Sequence, residues 1–232
     1  MAPLKRGQGF TLIEILVVIS IIVILIAILL PILVKSKQAA QLAICTSNLR
    51  QFGVAMQAWQ TSHRMSYTPG DLNGIKGDNV SEFVWGGKKG TKPPLTLIDS
   101  DLRWLNSFIG GPFAIGEEVA LAHCPMDASL YNYSGSSYGS NHRDGFKSLV
   151  LSDGVSPINA SKVTKPELFV LGAEYGAILA GYNDTSYQGE YQINWHWSEP
   201  RWNVLFADIH VDSPTIKFGT IMLADEYNFE YE

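Results

Sequence analysis

Three of the four histidines in the second half of the chain could share a metal ion with aspartates. They are His123, His196 and His210, and the aspartates are Asp208 and Asp212. His210 and Asp212 are two residues apart, which would place both side chains on one face of a β-strand. However, the sequence contains neither HExxH nor paired CxxC, the spacings that indicate a metal site. Histidines beside tryptophans more often pack in or on a sheet, so we expect no metal site here.

Motifs of the nucleotide-binding enzyme classes do not occur either. The sequence has no glycine-rich phosphate loop followed by Lys-Ser/Thr and no dinucleotide fingerprint. The net charge of −5 and the lack of a basic stripe argue against nucleic acid as a partner. We therefore expect a protein that is not an enzyme and that holds no catalytic cofactor.

Six tryptophans allow a different function, in which aromatic rings serve as platforms for sugars. Core and sheet packing is the interpretation that we favour, because large aromatic side chains are mostly used to fill cores. The six are Trp59, Trp85, Trp104, Trp195, Trp197 and Trp202.

A long apolar stretch runs from Ile15 to Val34, 20 residues without a charged side chain. At ~1.5 Å per residue, a helix of this length spans a hydrocarbon core of ~30 Å. A secretory signal peptide has a shorter apolar run, roughly 7–15 residues. Lys5 and Arg6 precede the stretch, so the positive-inside rule places the N-terminus in the cytoplasm and the chain after Lys37 outside the membrane. The sequence predicts a membrane-spanning helix, with a buried helix of a soluble core as the alternative.

An amphipathic segment follows the apolar one. Residues 36–62 contain no proline and no strong turn signal, and apolar side chains recur there at spacings of three and four. The recurring side chains are Leu42, Cys45, Leu49, Phe52, Met56 and Trp59. Together the two segments predict one helix over about residues 11–62, whose apolar stripe packs on the domain that follows.

The remainder, residues 63–232, has the composition of a globular domain. Gly, Pro, Asn and Asp are frequent between residues 67 and 94, which indicates loops, and residues 95–110 could hold a short helix. Strand-like segments lie at 146–153, 167–175, 190–197 and 201–212. A helix with one apolar stripe followed by several strands predicts an α+β fold, with the long N-terminal α-helix packed on a C-terminal antiparallel β-sheet.

The residues around the start of the apolar stretch resemble a known processing site. "KRGQ" followed by "GFTLIEILVVISII" is similar to the N-terminal segment of type IV prepilins and type II secretion pseudopilins. The resemblance covers residues 5–34, where basic residues, a glycine, an aromatic residue, TLIE and a long apolar run coincide. It implies that a membrane aspartyl peptidase cuts between Gly9 and Phe10 and methylates the new N-terminus at Phe10. Residues 1–9 would then be a leader peptide.

The resemblance also implies roles for two residues of the helix. A carboxylate in a membrane helix costs free energy, so it persists where a cation or a function needs it. In pilin-like filaments the residue equivalent to Glu14 is thought to pair with the positive N-terminus of the neighbouring subunit, which would set the register of assembly. Pro31 removes a helical hydrogen bond. It is either an ordinary membrane-helix proline or part of a stretch that melts on assembly.

By this resemblance, residues 10–35 form the transmembrane and assembly helix, 36–62 its amphipathic continuation, and 63–232 a periplasmic or extracellular pilin domain. The expected function is that of a structural subunit of a type IV pilus or a type II secretion pseudopilus, stored in the inner membrane. Its partners would be other pilin subunits, the prepilin peptidase and the inner-membrane assembly platform. The alternative is a membrane-anchored extracytoplasmic carbohydrate-binding module, or an envelope enzyme, with a prepilin-type anchor.

Cys45 and Cys124 are the two cysteines of the chain, and they lack the spacing of metal ligands. They form either one disulfide or two buried thiols. The milieu outside the inner membrane of a diderm bacterium is oxidising, and this favours the disulfide.

Calcium is the one ion that the resemblance raises, because some pseudopilins of this type bind it in an Asp/Asn loop. The candidates in this chain are Asp71 with Asn73 and Asp78, Asp99 with Asp101, and Asp153. None of these groups has the spacing of an EF-hand loop.

A second, patchier resemblance covers the globular part. "HCPMD", "SYGSN", "KPELFVLGAE" and "WNVLFADIHVDS" are similar to a pilin-like subfamily of planctomycete- and verrucomicrobia-type bacteria, which ends in a histidine, a spacer and an Asp-Gly hairpin. Here His196 precedes Asp208 by a longer spacer, and Ile209 replaces the glycine. Isoleucine resists the positive φ of an Asp-Gly turn, so either the turn differs or the hairpin is wider.

Overall fold

A computed structural model describes most of the chain. The residues described are 11–72, 75, 80, 82–91, 93–142, 156–181, 195–196 and 201–216. The chain divides into two units, residues 1–40 and 41–232. The first unit contains the N-terminal part of the long helix, and the second contains the rest of that helix with the globular domain.

The long helix, α1, extends over Leu12–Ser62, as the sequence predicts. It ends where two non-glycine residues adopt the left-handed conformation, Arg64 with φ of 54° and Met65 with φ of 63°. The Met65 amide donates to the carbonyl of Gln60 at 2.9 Å, and the His63 amide donates to that of Trp59 at 3.0 Å. These bonds satisfy carbonyls that the end of a helix would otherwise leave without a partner.

The predicted apolar stripe of α1 is confirmed in the second unit, where it contributes to the hydrophobic core. Leu42 at its beginning is half-buried. The other predicted members are buried: Cys45, Leu49, Phe52, Met56 and Trp59. Asn48 lies on the same face and donates to the carbonyl of His123 at 3.1 Å and to the hydroxyl of Tyr138 at 3.3 Å. The helix is therefore held to the domain by polar as well as apolar contacts.

An antiparallel sheet of four short strands packs in the same core, which confirms the α+β prediction. The strands are β1 (Tyr138–Ser140), β2 (Val170–Glu174), β3 (Val204–Phe206) and β4 (Val211–Asp212), in the order β1-β2-β3-β4. Each pairs antiparallel with its neighbour, for example Gly139 with Ala173 and Leu205 with Val211. The first three strands are buried along their whole length.

The described residues also form two short α-helices, α2 (Leu130–Ser134) and α3 (Tyr175–Gly181). Asp127 caps α2, because its buried carboxylate accepts hydrogen bonds from the amides of Ser129, Leu130 and Tyr131 at 2.8–2.9 Å. In place of the short helix predicted over residues 95–110, the chain forms three separate 3-10 turns, Leu95–Leu97, Ser100–Leu102 and Asn106–Phe108.

The turn between β3 and β4 answers the question raised by Ile209. The loop has three residues. The carbonyl of Phe206 accepts from the amide of Ile209 at 3.0 Å, and the amide of Phe206 donates to the carbonyl of His210 at 3.0 Å. Three-residue hairpin loops place their last residue in the left-handed region, and Ile209 has φ of 73°. The hairpin is therefore wider than a two-residue Asp-Gly turn. A Cβ built at Gly53 of α1 would lie 2.8 Å from Cγ2 of Ile209, so the isoleucine packs directly against this glycine.

The strand predictions were correct in part. The segments predicted at 167–175 and 201–212 contain β2, β3 and β4. The segment at 146–153 lies outside the described residues, and in the segment at 190–197 only Trp195 and His196 are described, neither of them in a strand. The sequence did not predict β1 or α3.

Candidate functional site

The part of α1 in the first unit exposes its apolar side chains on all sides. Every residue from Leu12 to Ala40 is exposed, and Ile15 to Val34 includes only apolar residues, Ser20 and Pro31. Among the described helices, α1 is the one long and apolar enough to cross a membrane. The Ser20 hydroxyl donates to the carbonyl of Leu16 at 2.7 Å, so this polar group is satisfied within the helix. The segment needs an apolar environment to cover it.

Glu14 and Thr11 form a reciprocal cap at the start of α1. The Glu14 carboxylate accepts from the amide of Thr11 at 2.7 Å and from its hydroxyl at 2.8 Å. In return, the amide of Glu14 donates to the Thr11 hydroxyl at 3.3 Å. This is a capping box, and its signature, Thr-x-x-Glu, is present in "TLIE". Glu14 therefore has a local structural role in addition to the assembly role that the resemblance implies. Gly9 and Phe10, the predicted processing residues, lie outside the described residues.

Pro31 does not interrupt α1, which is helical on both sides of it. A proline removes one helical hydrogen bond and is tolerated in membrane helices where the freed carbonyl finds compensation. The two interpretations of Pro31, ordinary membrane-helix proline or site of melting on assembly, both remain predictions.

Cys45 and Cys124 form a disulfide, which confirms that prediction. Their Cα atoms are 5.1 Å apart, they are separated by 79 residues in sequence, and neither is exposed. The bond joins α1 to the segment that precedes α2.

A buried histidine–carboxylate pair lies beside this disulfide. Glu174, at the end of β2, is 2.7 Å from Nε2 of His196, and their side chains are 0% and 2% exposed. The same Nε2 is 3.4 Å from Sγ of Cys124. Asn203 supports the carboxylate by donating its side-chain amide at 2.8 Å and its backbone amide at 3.1 Å. The Glu174–His196 pair and the disulfide thus share a single enclosed position in the core.

The three histidines considered as metal ligands have different partners in the structure. His123 stacks on Tyr131 with ring centroids 4.2 Å apart. His210 lies at the surface, 2.5 Å from Oδ1 of Asp208. His196 contacts Glu174, a residue that is not among the candidates from the sequence. Sequence spacing could not find this pair, because β2 and the segment before β3 meet only in the folded sheet.

The calcium candidates are only partly described. Asp99 accepts from the amide of Ser100 at 2.9 Å and lies 3.4 Å from Nζ of Lys89. Asp71 accepts at its backbone carbonyl from the Trp104 indole at 2.9 Å. Asn73, Asp78 and Asp153 lie outside the described residues. Within the described part of the chain, none of the calcium candidates belongs to a cluster of three or more potential ligands.

The described tryptophans mostly pack in the core. Four are between 1% and 7% exposed, which leaves little ring surface for a sugar to stack on: Trp59, Trp85, Trp195 and Trp202. Trp104 is half-buried, and Trp197 lies outside the described residues. For the four buried rings the packing interpretation is therefore correct.

His142 is a buried titratable group in a polar network between β1 and the end of α1. Its Nε2 lies 2.8 Å from the carbonyl and 3.1 Å from the hydroxyl of Thr68, and its Nδ1 lies 2.8 Å from the hydroxyl of Ser140. Burial disfavours the charged ring and lowers the pKa of His142 from 6.5 to about 4, although the bond to the Thr68 backbone partly opposes this.

We expect the protein to lose stability as the pH falls from 6.5 to 4 because of His142. Over this interval the unfolded chain binds a proton that the folded chain does not accept, which amounts to about 3 kcal/mol. Replacing His142 with Gln should flatten the pH dependence of the free energy of unfolding relative to wild type. Denaturant unfolding of the full chain in detergent, at several pH values, measures this difference. His63→Gln, at an exposed position, serves as the control, and an unchanged slope in His142→Gln would contradict the assignment.

Comparison with known proteins identifies a motif near the N-terminus. Residues 4–30 match the family model of the prokaryotic N-terminal methylation motif. No curated protein and no solved structure matched the chain. The match covers the predicted processing residues, the Thr11–Glu14 cap and most of the exposed apolar segment. The chain thus carries a prokaryotic N-terminal methylation motif over residues 4–30, which supports a prepilin-type pilin or pseudopilin.

Proposed function

We propose that the chain is a structural, non-enzymatic subunit of a pilus-type filament, either a type IV pilus or a type II secretion pseudopilus. It is cleaved between Gly9 and Phe10, methylated at Phe10, and held in the inner membrane until assembly. Its N-terminus faces the cytoplasm and its globular domain the periplasm, in line with Lys5 and Arg6 before the apolar segment. The assembled subunit needs no resident cofactor. Its partners are the prepilin peptidase, an inner-membrane assembly platform and other pilin subunits.

One observation carries this proposal: most of the exposed apolar segment of α1 lies within a prepilin-type methylation motif. In the membrane, lipid covers such a surface. In a filament, the same segments of neighbouring subunits cover one another, so one surface serves both states. A simple anchor accounts for the apolar residues but not for the motif.

Glu14 supplies a negative charge that could direct filament assembly. In the single chain its carboxylate is satisfied by Thr11. We propose that in the filament the methylated amine of Phe10 from a neighbouring subunit replaces Thr11 as the partner of this carboxylate. A charge-assisted hydrogen bond is stronger than a neutral one, which favours the exchange.

The test is the mass and N-terminus of the full chain in two fractions, sheared surface material and washed membranes. We expect a chain that starts at N-methyl-Phe10. Abundance in the sheared fraction would identify a surface pilus, and confinement to membranes would identify a pseudopilin or a minor subunit. An intact Met1 in both fractions would contradict the proposal and leave a membrane-anchored module.

A matched pair of variants separates the two roles of Glu14. Glu14→Gln keeps an acceptor for the Thr11 cap but removes the charge, since glutamine also serves in a capping box. Glu14→Ala removes both. We expect both variants to be processed and neither to assemble. Assembly of Glu14→Gln at the wild-type level would show that the cap, rather than the ion pair, is what the filament needs.

A further inference from the structure

Four potential metal ligands meet at the buried position behind α1. They are Sγ of Cys45, Sγ of Cys124, a carboxylate oxygen of Glu174 and a ring nitrogen of His196, all within 4.8 Å of one another. The four residues come from α1, the segment before α2, the end of β2 and the segment before β3. Only the folded domain brings them together.

The donor set is the one that zinc selects. Two thiolates, an imidazole and a carboxylate are all common ligands of Zn²⁺, which binds four of them in a tetrahedron with bonds of about 2.0–2.3 Å. Such bonds separate neighbouring ligand atoms by roughly 3.3–3.8 Å. Nε2 of His196 already lies 3.4 Å from Sγ of Cys124 and 2.7 Å from Oε1 of Glu174. Small movements would bring the four atoms to these separations once the sulfurs are no longer bonded to each other.

The surroundings of the disulfide favour this interpretation over a purely structural one. A disulfide in a core needs no polar neighbours, and burying polar side chains costs free energy that apolar residues of the same size would not. Yet Glu174 and His196 are fully enclosed beside the two sulfurs. Asn203 orients the carboxylate through two hydrogen bonds, as outer-shell residues do around metal ligands.

We propose that the reduced domain binds one Zn²⁺ through Cys45, Cys124, Glu174 and His196, so that zinc and the disulfide are alternative cross-links at the same place. A two-electron reductant, such as a dithiol or a phosphine, first converts the disulfide to two thiols and is itself oxidised. Zn²⁺ then displaces one proton from each thiol and the proton at Nε2, which leaves to solvent or moves to Nδ1, and it binds the two sulfurs, Nε2 and one carboxylate oxygen. Oxidation of the two thiolates by a disulfide donor re-forms the S–S bond and releases the metal.

The zinc form would hold α1 on the sheet while the disulfide is open. It applies to the chain before oxidation or after reduction, and it requires no change in the filament role. The inference is independent of that role, because it concerns residues outside the methylation motif.

Cobalt is the probe for this site, because Co²⁺ has visible bands and zinc does not. The untagged full-length chain in detergent is reduced with a phosphine, desalted without oxygen and titrated with Co²⁺. We expect thiolate-to-cobalt charge-transfer bands and intense tetrahedral d–d bands that saturate at one equivalent and vanish on addition of Zn²⁺. The oxidised chain should show neither. Absence of these bands from the reduced wild-type chain would overturn the proposal.

Variants distinguish the four-ligand site from two cysteines acting alone. His196→Ala should weaken cobalt binding by at least about tenfold, since loss even of outer-shell partners of a metal ligand costs 10–100-fold. Glu174→Gln should weaken it as well. His210→Ala removes a surface histidine and should leave the affinity unchanged. Equal affinity in His196→Ala and wild type would overturn the proposal. It would show that the two thiols bind cobalt without His196, as they could in a reduced and unfolded chain.

Discussion

Replacing both Cys45 and Cys124 with alanine should lower the free energy of unfolding by about 4–5 kcal/mol. The disulfide closes a loop between residues separated by 79 positions, and in the chain-entropy account this loop restricts the unfolded chain far more than the folded one. The two alanines also leave a small space in the core, which adds to the loss. Denaturant unfolding of the full chain in detergent, followed by tryptophan fluorescence, measures the change.

The wild-type chain supplies its own control for this experiment. Reduced and oxidised samples have the same sequence, so their difference reports the cross-link without any cavity. A chelator must be present, because Zn²⁺ bound to the reduced chain would stabilise it by mass action. A difference below about 1 kcal/mol between the oxidised and reduced chains would contradict the entropic argument.

The long helix was predictable because its signal is local and repeated. The spacing of Cys45, Leu49, Phe52, Met56 and Trp59 fixes one face, and all five are buried. The end of the helix was also placed correctly, since turn signals begin at residue 63. Each of these features depends on residues a few positions apart, which a sequence displays directly.

The strands were harder to predict because tertiary packing determines them. β1 is Tyr138-Gly139-Ser140, whose glycine and serine favour a turn by composition, yet all three residues are buried and pair with β2. Glycine is disfavoured in strands, but a Cβ at Gly139 would lie 3.0 Å from the Tyr175 ring, so a larger residue would be crowded there. α3 follows β2 without a break, and Tyr175 was read as the end of the strand.

The candidate sites divide in the same way. "TLIE" carries a local signal for the Thr11–Glu14 cap, and its meaning can be read from four residues. His196 was recognised as a possible ligand, but its partner could not be. Glu174 lies 22 positions earlier in the chain and meets it only through the sheet. Spacing along the sequence identifies metal ligands on one helix or loop, whereas ligands from separate elements require the fold.

Arg103 is the second residue on which the stability of the domain should depend strongly. It is 2% exposed, and its guanidinium donates to backbone carbonyls from separate parts of the chain. Nη1 lies 2.5 Å from the carbonyl oxygen of Phe83, and Nη2 lies 2.8 Å from that of Lys88 and 2.5 Å from that of Ser134. Burial lowers the pKa of Arg103 to about 9, with nearby Tyr131 and Asp99 opposing the shift, so the charge is retained at neutral pH.

We expect Arg103→Met to lower the free energy of unfolding by about 3–4 kcal/mol, because it fills the space but leaves several buried carbonyls without donors. Arg103→Lys should recover only part of this, since one ammonium group cannot reach carbonyls on both sides of a planar fork. The exposed Arg50 of α1 provides the control, where the same change to Met should stay within about 0.5 kcal/mol of wild type. Denaturant midpoints of the three variants in detergent give the comparison. If Arg103→Met unfolded at the same midpoint as Arg50→Met, the carbonyls would have other donors, and the buried guanidinium would not be what joins these loops.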